Sequence, residues 1–129
     1  MLKHLFIQNY ALINSLDIDF NTGFTVITGE TGAGKSILLG ALSLILGQRA
    51  DSSVLKDKTK KCIVEGKFDI KKYSLQALFK KHELDFEETA IIRREVSAEG
   101  KSRAFVNDTP VTLNVLREIT LKLIDIHSQ

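Results

Sequence analysis

Residues Gly29-Glu30-Thr31-Gly32-Ala33-Gly34-Lys35-Ser36 satisfy the pattern G-x-x-x-x-G-K-[ST] at every fixed position. This spacing constrains the fold more than any other feature of the chain. The glycines permit a tightly curved backbone whose N–H groups point inward and form a nest for an anion. A helix must begin close to Lys35, so that its positive end adds to the nest. Lys35 then reaches β- and γ-phosphates as a point charge, and Ser36 offers its hydroxyl to a magnesium ion bridging them. With glycine near 7% of residues, the pattern arises by chance in roughly one chain in a few hundred of this length. The bland reading is a Gly-rich turn with an exposed lysine. The context argues against it, because a β-rich run, Phe24–Thr28, precedes the loop and an apolar segment follows it. A dinucleotide fingerprint fails, since Ile37 stands where Gly or Ala is required. The motif therefore favours a nucleoside triphosphate with magnesium, without choosing between ATP and GTP.

The surrounding pattern predicts an α/β fold. Leu2–Gln8 and the alternating Leu16–Phe20 read as strands, joined through the turn Asn21-Thr22-Gly23 to a third strand, Phe24–Thr28. Ser36–Leu46 is apolar on almost every face, which predicts a buried helix rather than an amphipathic one, stopped by Gly47. Residues 48–60 read as a polar surface loop with the composition of a mobile segment. Cys62–Ile70 predicts a strand, and Tyr73 or Ser74 opens an amphipathic helix to His82. Thr89–Val96 and Ser102–Val106 form a hairpin about the loop Ser97–Lys101. Asn107-Asp108 is a further turn, Pro110 marks an edge position, and Thr112 caps a short helix, Leu113–Ile119. Leu121–Ile126 predicts a last strand.

Composition excludes little that the motif leaves open. The chain has 129 residues, enough for one compact domain or a piece of a larger one. Eighteen Lys and Arg against 16 Asp and Glu leave a formal charge of +2, less basic than a dedicated nucleic-acid module usually is. Cys62 is the single cysteine, so no internal disulfide forms and a reducing compartment fits; its apolar setting predicts an inert core thiol. The most apolar stretch, Ile37–Leu46, is too short to span a bilayer, and no targeting segment is visible. The expectation is a cytoplasmic protein with no membrane partner.

The quoted loop sits among further recognisable stretches. Ile7-Gln8-Asn9-Tyr10-Ala11-Leu12-Ile13, the extended run Thr25–Leu38, Gly100–Asn107 and Leu123–Gln129 follow in order along nearly the whole chain. Together they resemble the N-terminal part of the RecN family of bacterial DNA repair proteins, in the SMC-like group of ABC-type ATPases. One departure is Ser128, where that family usually has Gly. The resemblance implies a P-loop NTPase fold: the N-terminal lobe of an ABC/SMC-type ATPase head, with a mixed sheet that includes antiparallel strands, spanning 1–129. It implies ATP and Mg2+ as ligands, and Gln129 as a Q-loop residue touching the magnesium and the attacking water. Asn9 and Tyr10 would lie near the nucleotide, although Tyr10 also suits the core. A C-terminal lobe of the same chain, reached through a coiled coil, and a second head in a homodimer are the implied protein partners. DNA would be engaged by the full-length protein, on the nucleoid. A signature motif, an apolar strand ending in Asp-Glu and a switch His are absent from the sequence, so the lobe alone is expected to be inactive.

Other candidates weigh less. Asp125 lies in an apolar run, but an apolar residue follows it, so it reads as a structural acid rather than a magnesium carboxylate. His127 has no ligand spacing with His4 or His82. Arg93, Arg94, Lys101 and Arg103 cluster on the second hairpin, where a solvated face paired with Glu95 and Glu99 is the simpler reading than phosphate contact. Two alternatives remain: a self-sufficient phosphotransferase using Arg93, Arg94 and Arg103 as a lid, and a non-catalytic DNA-binding module.

Overall fold

The computed structural model describes residues 1–20 and 32–127, with side chains for 1–20 and 34–123. The anticipated turn Asn21–Gly23, the strand Phe24–Thr28 and residues 29–31 of the loop lie outside the described residues, as do Ser128 and Gln129. The strands are β1 (Leu2–Tyr10), β2 (Ile13–Asp19), β3 (Cys62–Asp69), β4 (Thr89–Val96), β5 (Ser102–Val106) and β6 (Thr109–Val111). The helices are α1 (Gly32–Ile45), α2 (Gln76–Lys81) and α3 (Leu113–His127), with a single 3₁₀ turn at Ser52–Val54.

Among the described residues the strands form one six-stranded sheet in the order β2-β1-β3-β4-β5-β6, and every pairing is antiparallel. Period-two alternation decides its faces. Leu5 and Ile7 of β1, Val64 and Phe68 of β3, Ala90 and Ile92 of β4 and Ala104 and Val106 of β5 are buried on one face. Helices α1 and α3 cover that face, α1 over β3 and β4 and α3 over β5. Each fully buried aliphatic or aromatic side chain stabilises this layer by about 1.5–3 kcal/mol.

The seat of α1 is tight. A Cβ at Gly66 of β3 would lie 2.6 Å from Ile45 Cδ1 and 2.9 Å from Phe68 Cε1, so only hydrogen fits beneath the helix. On α1 itself, a Cβ at Gly40 would meet the Tyr10 hydroxyl at 2.4 Å. Tyr10 thus packs, partly buried, against the core at the middle of α1, and that burial pushes its phenol pKa upward.

The loop between α1 and β3 is an anchored structure rather than a mobile one. Asn9 is buried, at a left-handed φ of 56°, at the end of β1. Its Nδ2 donates to the carbonyls of Asp57 and Lys60, each at 3.0 Å, and its Oδ1 accepts from the Asp57 N–H at 2.7 Å. Ala11 N–H donates to Val54 O at 2.7 Å. Asp57 Oδ1 accepts from the Thr59 N–H at 2.9 Å, turning the segment back on itself.

Several local signals place their elements closely. Asn107 and Asp108 have φ of 48° and 67°, the doubly left-handed turn that suits a two-residue hairpin. Pro110 lies on edge strand β6. Thr112 Oγ1 accepts from Val115 N–H at 3.2 Å, capping α3. The expected strand Leu121–Ile126 is overturned: α3 runs unbroken from Leu113 to His127. Leu116, Ile119 and Leu123 are buried at helical spacing against the sheet, and that longer period decides how the apolar run 121–126 folds. Asp125 is therefore a helical residue, not a strand acid. Two other expectations shift. Helix α1 is not buried all round, since Leu39 is 54% exposed. Arg93 and Arg94 do not cluster, because successive strand residues point to opposite faces.

Two outcomes check this packing. Gly66→Ala should lower stability by about 1–3 kcal/mol through overpacking beneath α1, read as a lower urea midpoint. Asn9→Ala should cost on the order of 1 kcal/mol and open the Lys56–Lys61 segment to trypsin, because partly buried backbone groups lose their partners. Unchanged cleavage would contradict the anchoring role.

Candidate nucleotide-binding site

Helix α1 connects the motif to the fold. It begins at Gly32, so Gly34, Lys35 and Ser36 occupy its opening turns. Lys35 and Ser36 are exposed. The first N–H groups of a helix lack intrahelical acceptors and carry its positive partial charge. No acidic residue sits in the first turn of α1. That end is therefore chemically suited to an anion. Residues 29–31 lie outside the described residues, and the side chain of Ala33 is likewise undescribed.

The opposite end of α1 is closed by a full set of partners. Gly47 has φ 107°, and its N–H donates to Leu44 O at 3.2 Å while Gln48 N–H donates to Ser43 O at 3.1 Å. This is the Schellman arrangement, with Gly47 at the left-handed position that stops the helix. A Cβ there would lie 2.5 Å from Arg117 Cγ. Arg94, only 1% exposed, donates through Nη1 to Leu44 O at 2.6 Å and to Gln48 O at 2.7 Å, and through Nη2 to Ser102 Oγ. Arg117 Nε donates to Gly47 O at 2.8 Å, and Thr120 Oγ1 donates to Leu46 O at 2.9 Å. Burial draws the Arg94 pKa below its ordinary value, and the nearby Arg117 charge adds to the effect.

Arg93 points to the other face. It pairs with Glu95 at 3.1 Å, Asp108 at 3.0 Å and Glu65 at 3.7 Å, and its guanidinium stacks 4.4 Å from the Phe105 ring centroid. Two of the three arginines offered as a phosphotransferase lid are thus committed elsewhere. Lys61 pairs with Glu95 at 3.3 Å, and Lys58 Nζ donates to Ser52 O at 2.9 Å. His82 contacts Glu118 at 2.7 Å, linking α2 to α3, and that contact lowers the Glu118 carboxyl pKa. Among the described residues no group of three or more His, Cys, Asp or Glu could hold a metal ion. No helix among them is long and apolar enough to cross a membrane.

The inward, structural roles of Arg94 and Asn9 are what motif reading missed. The signal was present in both strands. Arg94 falls in phase with Ala90, Ile92 and Val96, and Asn9 in phase with Leu5 and Ile7, so each polar residue occupies an inward position.

A Gly-rich phosphate motif leading into the N-terminus of a helix is the construction that P-loop nucleotide-binding proteins use. The profile of the RecF/RecN/SMC N terminal domain matches residues 1–128, and the chain belongs to that family. Over its whole length it is 38% identical to the DNA repair protein RecN of Xylella fastidiosa strain Temecula1 and 40% identical to that of Vibrio cholerae. It spans 23% and 24% of those proteins, just under a quarter of their length. Among solved structures, a chain from work on ATP-driven dimerization and DNA stimulated activation of SMC ATPases superposes with a TM-score of 0.70. The identity is 22%, covering 95% of this chain and 79% of that one. The SMC head domain from Thermotoga maritima gives 0.59 at 18% identity, covering 92% and 41%. These likenesses show the fold: the N-terminal lobe of an SMC-type head.

Cys62 lies on the buried face of β3, and burial pushes its thiol pKa from 9.0 up to about 11, against a smaller opposing pull from Arg94. The folded state holds this proton more tightly than the unfolded chain. Its contribution to stability is therefore complete below about pH 9 and is lost as pH rises toward 11. Native protein at pH 8 should resist thiol alkylation and react fully once denatured; rapid native labelling would contradict the buried placement.

Proposed function

We propose that this chain, over 1–129, is the nucleotide-binding lobe of an SMC-type ATPase head that acts in bacterial DNA repair and recombination. The observation that carries this reading is the complete Gly29–Ser36 motif leading into a helix whose first turn is free of acids. The N–H groups of the loop and of the first turn of α1 would hold the phosphates. Glu30, Thr31 and Ala33 contribute through their backbone, the glycines through the curvature they allow. Lys35 would neutralise charge on the β- and γ-phosphates.

Ser36 is exposed at the helix start, and one hydroxyl suits Mg2+, which binds through few protein ligands and keeps phosphate oxygens and water as the rest. Magnesium would offset charge on the triphosphate. Gln129 is assigned to orient the attacking water and to approach the magnesium. In the assembled protein, water attacks the γ-phosphorus in line and the bond to the β–γ bridging oxygen breaks, giving ADP and phosphate. Positioning and charge stabilisation supply the rate.

The remaining parts come from outside these residues. A C-terminal lobe of the same protein and a second head would supply the signature motif and the acidic strand end. Leu39 and Leu121 support this: they are 54% and 56% exposed, and each stands on a helix otherwise packed on the sheet. ATP binding would then close two heads and couple that closure to DNA. A cytoplasmic, nucleoid-associated location follows from the same reading.

The test is titration of the chain with a fluorescent ATP analogue and magnesium. A saturable signal that disappears in Lys35→Ala is expected, with phosphate release no faster than in that variant. Steady, Lys35-dependent hydrolysis by the chain alone would overturn the lobe assignment. Indistinguishable titrations of wild type and Lys35→Ala would overturn the phosphate-binding assignment.

A further inference from the structure

The carboxyl end of α1 carries more fastening than a helix stop requires. The Schellman bonds of Gly47 and Gln48 already return the chain. Arg94, Arg117 and Thr120 then donate to the carbonyls of Leu44, Leu46, Gly47 and Gln48. These side chains come from β4 and α3, elements distant in sequence from the helix they hold. Among the described residues Arg94 pairs with no carboxylate; its bonds run to two carbonyls and the Ser102 hydroxyl. The negative end of the helix dipole is its compensating charge. A buried guanidinium is a costly way to cap a helix, because desolvation opposes it. Its geometry explains the choice: Nη1 bridges Leu44 O and Gln48 O while Nη2 of the same rigid plane is tied to Ser102 Oγ on β5, so the bridge is held at a fixed angle to the sheet.

The contacts along the flank of α1 are of another kind. Tyr10 against Gly40 and Ile45 against Gly66 are van der Waals contacts, which resist sideways displacement. Directional hydrogen bonds at the helix end resist sliding and rotation along the axis. A helix of 14 residues is a rod about 20 Å long, so displacement at Leu44 is carried to Lys35 and Ser36.

We infer that Arg94, with Arg117 and Thr120, is a positioning residue for the phosphate site: it fixes the axial setting of α1 and thereby how Gly34, Lys35 and Ser36 meet a bound triphosphate. This rests on the nucleotide reading above and adds to it a second determinant of affinity, at the far end of the helix. It also makes β4 and α3 the elements through which strain elsewhere in the protein reaches the phosphates.

The experiment compares Arg94→Lys, Thr120→Val and Lys35→Ala with the wild-type chain. Three readouts are taken: thermal midpoint, affinity for the fluorescent ATP analogue with magnesium, and the amide NMR shifts of Gly34, Lys35 and Ser36. Arg94→Lys keeps the charge but loses the planar group whose second nitrogen ties the Leu44–Gln48 bridge to Ser102. It should weaken the analogue on the order of tenfold, as misplacement remote from a site does. Thr120→Val should weaken it less. In both, the three amides should move although the protein stays folded. Folded variants with wild-type affinity and unmoved amides would overturn the inference, since a merely stabilising cap changes only the midpoint. If Arg94→Lys does not fold, Thr120→Val decides by the same criteria. If wild type and Lys35→Ala bind alike, the nucleotide reading fails by itself. The amide shifts then judge the mechanical link separately: movement supports it and its absence overturns it.

Discussion

If the amino end of α1 receives a phosphate as proposed above, the helix has to be held by its flanks and its other end. This constraint organises the lobe. Gly66 brings the sheet within touching distance of Ile45, and Gly40 lets the Tyr10 ring lie against the middle of the helix. At the carboxyl end, Arg94, Arg117 and Thr120 engage four carbonyls. The exposed Lys35 and Ser36 are thus mounted on a fixed support. The buried charge of Arg94, which would be a defect in an ordinary core, is compatible with folding because it meets the negative helix end.

The loop after α1 is organised on the same principle, from the first strand. Asn9 occupies an inward position of β1, and its amide engages Asp57 and Lys60 on both its donor and acceptor sides. A stretch whose composition suggests mobility is thereby held to the sheet. Lys58 and Lys61, part of the cation run there, spend their charge on Ser52 O and Glu95. The family resemblance places Asn9 near the nucleotide; the described contacts give it a structural task beside the loop.

Much of this was readable where one physical signal dominated. Strand β4 was legible from alternation, the turn Asn107-Asp108 from its residue types, and the end of α1 from Gly47. The helix expected to begin close to Lys35 was legible as well, since α1 starts at Gly32. Reading failed where a short apolar run suits either element. Leu121–Ile126 is apolar enough for a strand inside a sheet, but Leu116, Ile119 and Leu123 are spaced for a helix, and contact with the sheet chose the helix. It failed again where a polar residue took an apolar position. Arg94 was assigned to a charged surface by its type, whereas its phase in β4 turns it inward. The exposure of Leu39 has a third cause: local composition reports that a face is apolar, not what covers it.

The strand order bears on how the chain acquires this shape. β3 through β6 follow one another both in sequence and across the sheet, so their hairpins close over short separations. β1 is different, since it lies between β2 and β3 while the helix belongs to the segment linking those two strands. Joining β1 to β3 requires a contact such as Gln8 with Ile63, a far longer loop closure. Pairings of low sequence separation cost less loop-closure entropy, whereas β1 joins the sheet only across the longer closure. The Tyr10 contact on the middle of α1 belongs to that long-range part of the fold, so the seat of the helix depends on the two ends of the segment from Gln8 to Ile63 meeting.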